Sequence, residues 1–209
     1  TDWLGKVVES VTGKGLDVVV KEGITNPLGM DDTMFVLDTG RRENAVTIHV
    51  RGEEGGWTSA GEILNQEPDW WAGGHGLYST PRDYIRFERA LLRGGELDGA
   101  RLLGPRTIEY MTCNHLPGAV DLEAFDPSGF AETTFDGVGF GLGFSVVEDH
   151  VANKVLGSIG DFGWGGAAST FFWVAPKSEL VVIILQQLEP INLALMMALK
   201  PAVYAALRD

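Results

Sequence analysis

The stretch Gly160-Asp161-Phe162-Gly163-Trp164-Gly165-Gly166-Ala167-Ala168-Ser169-Thr170 sets four glycines before and at the start of an apolar strand. Glycine leaves room for another group to approach the backbone. On an edge strand beside a cleft, a Gly-Gly pair exposes main-chain N–H groups that can stabilise an oxyanion, and losing one such donor costs on the order of 10²–10³ in rate. The same glycines also suit a β-bulge or close packing against a helix, and these residues alone leave both readings open. Around this stretch, residues 139–148, 167–174 and 180–187 read as strands separated by Gly-rich or Pro-Lys-Ser turns. Val181-Val182-Ile183-Ile184 is apolar at successive positions, so that strand is expected to be covered on both faces, with an Ala-rich C-terminal helix over residues 202–207 on one side. The resulting fold class is α/β of the α+β type, an antiparallel sheet flanked by helices.

Toward the N-terminus the pattern turns helical. Thr1-Asp2 caps a run carrying Trp3, Leu4, Val7, Val8 and Val11 that closes at Gly13. A second helix over residues 16–24 is expected to stop at Asn26-Pro27-Leu28-Gly29-Met30. Residues 35–71 read as a lid or insertion with a strand at 45–50, a turn at 53–56 and the pair Trp70-Trp71. Thr80-Pro81-Arg82-Asp83 has the form of a capping box, opening a helix that runs to Arg93 before Gly94-Gly95. Pro105 opens another helix with Ile108 and Met111, and residues 114–136, containing Pro117 and Pro127, read as loop. The expected division is a sheet-plus-helix part, residues 1–34 and 137–209, and a helical, loop-rich insertion, residues 35–136, bordering the cleft.

Composition removes several function classes. With 16 Lys plus Arg against 29 Asp plus Glu, the net charge of −13 disfavours nucleic acid and acidic membranes, which need a basic patch. At 44% hydrophobic residues the 209-residue chain can bury a core, and apolar runs such as residues 180–185 fall far short of the roughly 20 residues of a membrane span. No charged-then-apolar leader precedes the first helix; the cellular address stays open, with the cytoplasm favoured. One cysteine, Cys113, excludes an intrachain disulfide and a cysteine-based metal cluster, and it reads as a half-buried small residue. His49, His75, His115 and His150 are too scattered for a metal site, and Gly73-Gly74-His75-Gly76 lacks the Lys-Ser/Thr of a phosphate loop. No metal and no cofactor is expected. Hydrolase nucleophiles are missing too: G-x-S-x-G is absent, and no serine has a lysine three residues later.

Several segments together resemble one family, the class C β-lactamase-like serine hydrolases of the penicillin-recognising fold, especially the family VIII carboxylesterases. They are Asn26-Pro27-Leu28-Gly29-Met30-Asp31-Asp32-Thr33, Gly73-Gly74-His75-Gly76-Leu77-Tyr78-Ser79-Thr80-Pro81-Arg82-Asp83-Tyr84, Leu102-Leu103-Gly104-Pro105, Gly139-Phe140-Gly141-Leu142-Gly143-Phe144 and Trp164-Gly165-Gly166, in the family's order and across the whole chain. Such enzymes use a Ser-x-x-Lys helix, a Tyr-x-Asn or Tyr-x-Ser loop, and a Lys-Thr-Gly, His-x-Gly or Trp-Gly-Gly strand, and this sequence carries the third alone. The resemblance implies that Trp164, Gly165 and Gly166 border substrate and that the Ala167 N–H is one oxyanion donor, the other being the N–H of the absent nucleophile. It implies a chain cut just past the general base, the C-terminal part of an ester hydrolase that is inactive by itself, since serine attack needs a nearby base. Esters are favoured over β-lactams because Trp164 carries no charge for a β-lactam carboxylate.

The same resemblance lets His75, Trp70 and Trp71 touch substrate, with Trp57 beside them, although a capping His and a small tryptophan-covered core are the plainer readings. Tyr78-Ser79 reads as part of a helix cap and Ser169 as a packing or strand residue. The fold also implies N-terminal strands on the sheet, so an open edge is expected, to be covered by the missing N-terminal segment or by another copy of the chain. Two rivals remain: a non-catalytic ligand- or partner-binding relative, and an enzyme rebuilt around Ser169 or Cys113.

Overall fold

In a computed structural model, residues 1–53, 55–61, 68–126 and 135–207 are described. Helix α1 (Asp2–Thr12) ends where Gly13, at φ 67°, turns its N–H onto the Glu9 carbonyl, a left-handed closure that favours glycine. Thr1 occupies the N-cap position, but its side chain makes no capping hydrogen bond, and Trp3, Leu4, Val7 and Val11 are exposed. Helix α2 (Leu16–Val20) does not stop before Pro27 as expected. It passes through a π turn, Lys21–Thr25, into α3 (Asn26–Leu28). The Asn26 N–H reaches back to the Lys21 carbonyl, and this wider turn puts Pro27 in the first turn of a new helix, where its missing N–H does no harm. Gly29, at φ 61°, ends the segment.

After α4 (Thr39–Arg42), capped by the Asp38 carboxylate on the Arg41 N–H at 2.9 Å, the expected strand over 45–50 is displaced to β1 (His49–Arg51). β1 pairs antiparallel with β2 (Trp57–Ser59) through a turn in which the Gly52 N–H meets the Gly56 carbonyl at 2.8 Å; Glu54 lies outside the described residues. Helix α5 (Pro81–Leu92) begins with half a capping box, the Thr80 hydroxyl accepting from the Asp83 N–H at 3.2 Å. The other half is absent because the Asp83 carboxylate is used elsewhere, accepting from the Asp32 N–H at 2.7 Å and the Thr33 hydroxyl at 3.0 Å. Gly94 and Gly95 then end the helix with positive φ, and a β-carbon at Gly95 would run into the Leu103 carbonyl.

A small hairpin, β3 (Glu96–Leu97) and β4 (Ala100–Arg101), leads to α6 (Pro105–Met111). The expected loop over 114–136 contains a 3₁₀ turn at Pro117–Ala119 and a short helix, α7 (Leu122–Phe125), whose N-cap is Asp121; Pro127 lies outside the described residues. The single strand expected over 139–148 is instead a hairpin of β5 (Val138–Phe140) and β6 (Ser145–Val147), folded back at Gly143 with φ 100°.

Next come β7 (Phe162–Gly166), β8 (Thr170–Ala175) and β9 (Leu180–Leu185), completing a five-stranded antiparallel sheet in the order β5-β6-β7-β8-β9. The strand expected from residue 167 starts at Thr170, because Ala167, Ala168 and Ser169 form the turn. β10 (Leu188–Glu189) joins β1 in parallel, and α8 (Ala194–Ala205) closes the fold. That last helix starts at Ala194, not at 202, and ends before 207. Pro201 lies inside it.

Each face of the sheet is covered by a helix. Leu91 of α5 and Ile108 of α6 pack with Phe144, Val146, Phe162 and Val174 on one face, and Val181 joins them. Phe171, Trp173, Ala175 and Ile184 pack under Met196, Val203 and Tyr204 of α8 on the other, and Val182 joins those. The alternating assignment of Val181 and Val182 accounts for the unbroken apolar run of β9. Among the described residues β9 has a strand partner on one side only. The region read as an insertion contains α5, which packs directly on β8 and β9.

Candidate functional site

The edge of β7 is the feature that the surrounding elements build. β8 pairs with β7 along its full length, whereas β6 pairs only through Ser145 with Gly163 and Val146 with Phe162. The Ser145 hydroxyl donates to the Gly163 carbonyl at 2.8 Å where that pairing ends. From Trp164 to Gly166 the outer edge of β7 therefore has no strand against it among the described residues. The chain then turns through Ala167 and Ala168, with the Ser169 N–H on the Gly166 carbonyl at 3.0 Å and Ser169 at φ 62°. Ala167 is exposed, and its N–H donates to nothing among the described residues. Among the described residues this is an unpartnered backbone donor at the end of an unpaired strand edge, in a turn closed by the Ser169 N–H.

The glycines also serve the packing reading left open above. A β-carbon at Gly163 would strike the Phe172 carbonyl, one at Gly165 would stand 2.7 Å from the Phe171 ring, and one at Gly166 would stand 2.6 Å from the Thr170 hydroxyl. Close approach of β7 to β8 and an exposed edge thus come from the same residues. The Trp164 ring lies edge-on to Phe140 at 4.9 Å.

A cleft of about 820 Å³ runs along β7 beside α8, with Trp164, Gly165, Gly166 and Ala167 at its lining together with Asp161, Met196 and Lys200. Asp161 is 1% exposed; its Oδ2 accepts from the Ser158 N–H at 2.9 Å and from the Tyr204 hydroxyl, and its Oδ1 has no partner. Burial pushes the Tyr204 phenol up, helped by that carboxylate. Burial likewise pushes the Lys200 ammonium down against the pull of Asp161, and its Nζ stands 5.5 Å from the Trp173 ring centre.

His75, Trp70 and Trp71 form a separate group around the start of α1 and do not line this cleft. The Gly74 N–H donates to the Asp2 carboxylate at 2.8 Å, and His75 Nδ1 is 4.0 Å from the same group. Trp70 meets His75 edge-on at 6.4 Å, and Trp71 packs on Phe35 at 5.3 Å. Trp57 stacks under Arg51. Tyr78 bridges to Met34, and the Ser79 hydroxyl is 2.8 Å from that of Thr33, so this pair is structural. Ser169 is wholly buried, its hydroxyl donating to the Leu188 carbonyl at 2.8 Å and accepting from the Asn192 N–H at 2.7 Å, so it ties the turn to β10. Cys113, expected half-buried, is exposed, since it lies beyond the end of α6.

Glu88 escaped the sequence reading. It sits on α5 in the stripe Tyr84, Phe87, Glu88, Leu91, spaced like an apolar helix face, and that acid in an apolar stripe was the available signal. It is 0% exposed with both carboxyl oxygens unpaired, and burial pushes it up to about 8. Burial, with Glu88 adding to it, pushes the Tyr84 phenol up to about 12, so Tyr84 stays protonated at neutral pH. Among the described residues there is no cluster of His, Cys, Asp and Glu fit to hold a metal, and no helix is long and apolar enough to cross a membrane.

Comparison with known proteins agrees with this architecture. The family model described as beta-lactamase matches residues 1–196. The chain is 31% identical over 191 residues to Protein Rv1367c of Mycobacterium tuberculosis, covering 89% of this chain and 47% of that protein. It is 30% identical over 217 residues to the lovastatin esterase of Penicillium rubens, covering 95% and 52%. A variant of simvastatin synthase from Aspergillus terreus superposes with a TM-score of 0.84 at 26% identity, covering 98% of this chain and 54% of that one. The chain thus spans about half the length of the curated relatives it matches.

Proposed function

The chain belongs to the beta-lactamase family of hydrolases and acyltransferases, and on that premise we propose that it is the part of a serine ester hydrolase that carries the oxyanion strand. The observation that supports this most is the free edge of β7 running into the unpartnered Ala167 N–H. In the complete enzyme a serine hydroxyl, its proton taken by a neighbouring base, adds to the ester carbonyl. The carbonyl oxygen becomes an oxyanion held by the Ala167 N–H and by the N–H of the serine itself. Collapse expels the alcohol and leaves an acyl-serine, which water then hydrolyses. Serine and base come from sequence that this chain does not contain, so the chain alone is expected to be inactive. Trp164 offers an apolar, uncharged surface beside the donor, which suits an ester better than an anionic β-lactam.

Ala167→Pro tests the donor directly, because Pro fits the second position of a turn and removes only the N–H. With the N-terminal portion of the Penicillium rubens lovastatin esterase fused ahead of Thr1, kcat/KM for a p-nitrophenyl ester should fall by about 10²–10³ in the Pro variant. Equal turnover of the two fusions, or none in either, overturns the reading. The rival reading, a non-catalytic binding protein, draws on the absence of Ser-x-x-Lys from the sequence and expects the second of those results.

A further inference from the structure

Glu88 takes no part in the chemistry proposed for the complete enzyme, yet its setting makes its proton consequential. It lies within α5, 0% exposed, with both carboxyl oxygens unpaired. One turn earlier on the same stripe the Tyr84 ring stands 5.3 Å from that of Phe172, and one turn later Leu91 packs with Val174, so Glu88 faces the sheet at β8 and β9. Protonated, the carboxyl is neutral; ionised, it is a buried charge without a counter-charge.

Among the described residues, the elements packed on α5 supply no counter-charge. β8 and β9 contain no titratable side chain. On β3, Glu96 pairs with Arg101; on α6, Arg106 pairs with Glu109 at 2.8 Å, both exposed, and Tyr110 is exposed as well. α3 carries no charge, and Asp31 and Asp32 beyond it are exposed, Asp32 holding Arg41 at 2.9 Å. On α5 itself Arg82 is exposed, Asp83 accepts from Asp32 and Thr33, Arg86 donates to Asp98 and to the Leu28 carbonyl, and Arg89 follows, half-buried, one position round the helix. Tyr84, pushed up to about 12, keeps its own proton.

We propose that Glu88 is a proton latch: while it carries its proton α5 lies closed on β8 and β9, and loss of the proton loosens this helix locally, ahead of the rest of the fold. A single helix opens at less cost than the whole domain, so the buried charge finds its relief there first. Phe172, on which Tyr84 rests, pairs across from Trp164 and lines the cleft, so the latch sits behind the strand that carries the site. It is a property of this chain's fold and stands apart from the ester reading. A group that holds its proton more tightly in the closed helix than in the open one favours opening as the pH rises. With the ordinary 4.5 restored on opening against about 8 when closed, the opening constant should grow by about 10²–10³-fold between pH 5 and pH 9.

The test is hydrogen exchange on the 209-residue chain at pH 5, 7 and 9, corrected for the pH dependence of exchange from an unstructured peptide. It compares α5 with α8, which covers the other face of the sheet. Protection across α5 should fall by about 10²–10³-fold over that range while α8 keeps its own. Glu88→Leu and Glu88→Gln should both abolish the fall, because neither side chain titrates. Taking every change relative to these variants removes what Lys200 and Tyr204 contribute to α8. Glu88→Gln nearly preserves the shape of the side chain and carries the comparison if Glu88→Leu does not fold by circular dichroism. Constant protection in α5 of the parent overturns the latch, as does a fall that persists in the variants. An equal, Glu88-dependent fall in α5 and α8 overturns it too, since the whole fold then opens and no local device exists.

Discussion

Glu88→Leu should stabilise this protein, and by more as the pH rises. Both oxygens of Glu88 are buried and unpaired, and its carboxyl is pushed from the ordinary 4.5 up to about 8 by burial. Because the folded state holds this proton more tightly than the unfolded chain, the stability it lends is complete below 4.5 and is lost as the pH rises through about 8. At about 1.36 kcal/mol per pKa unit, the loss amounts to at most about 5 kcal/mol. Leucine is similar in volume to glutamate and has no charge to desolvate. Urea unfolding at pH 5, 7 and 9 would read the effect. The gap between Glu88→Leu and the parent should widen by about 3–5 kcal/mol across that range, while Glu88→Gln, which cannot titrate but still buries an unpaired amide, should share the flat profile at lower stability. Parallel pH profiles for parent and Glu88→Leu would refute the reasoning, since they would mean that Glu88 titrates alike in both states.

Two further outcomes follow from the strand and its turn. Gly163→Ala drives a β-carbon into the Phe172 carbonyl, which is backbone and cannot swing away, so thermal unfolding should show a loss of about 1–3 kcal/mol. Ser169→Ala strands the Leu188 carbonyl and the Asn192 N–H, and denaturant titration should show a loss of about 1–3 kcal/mol; in the fused enzyme turnover should persist, because Ser169 anchors the turn and is not the nucleophile.

Features set by neighbours in sequence were legible. Gly13, Thr80-Pro81, Gly94-Gly95 and Pro105 act within one helical turn, and the structure has their helix ends where the sequence puts them. Features set across the fold were not. Asp83 looks like a capping-box acid, yet it holds Asp32 and Thr33, and the competition is invisible until α5 is docked. The C-terminal helix, expected from residue 202, starts at Ala194 and runs through Pro201, because packing of α8 on β8 and β9 outweighs the missing hydrogen bond. The run around Trp164 was readable as a glycine-rich strand. That β6 stops short and leaves its edge free depends on the length of a hairpin no local signal fixes. Asp161 and Tyr204 meet over 43 residues of separation, beyond any pattern in the chain.

On the proposed reading this chain holds a donor for developing negative charge without the group that attacks. Incubating the purified 209-residue chain with p-nitrophenyl butyrate, and in parallel with a fluorophosphonate label followed by intact mass, puts this to the test. No turnover above the buffer rate and an unshifted mass are the expected results; saturable turnover with one covalent adduct per chain would contradict it.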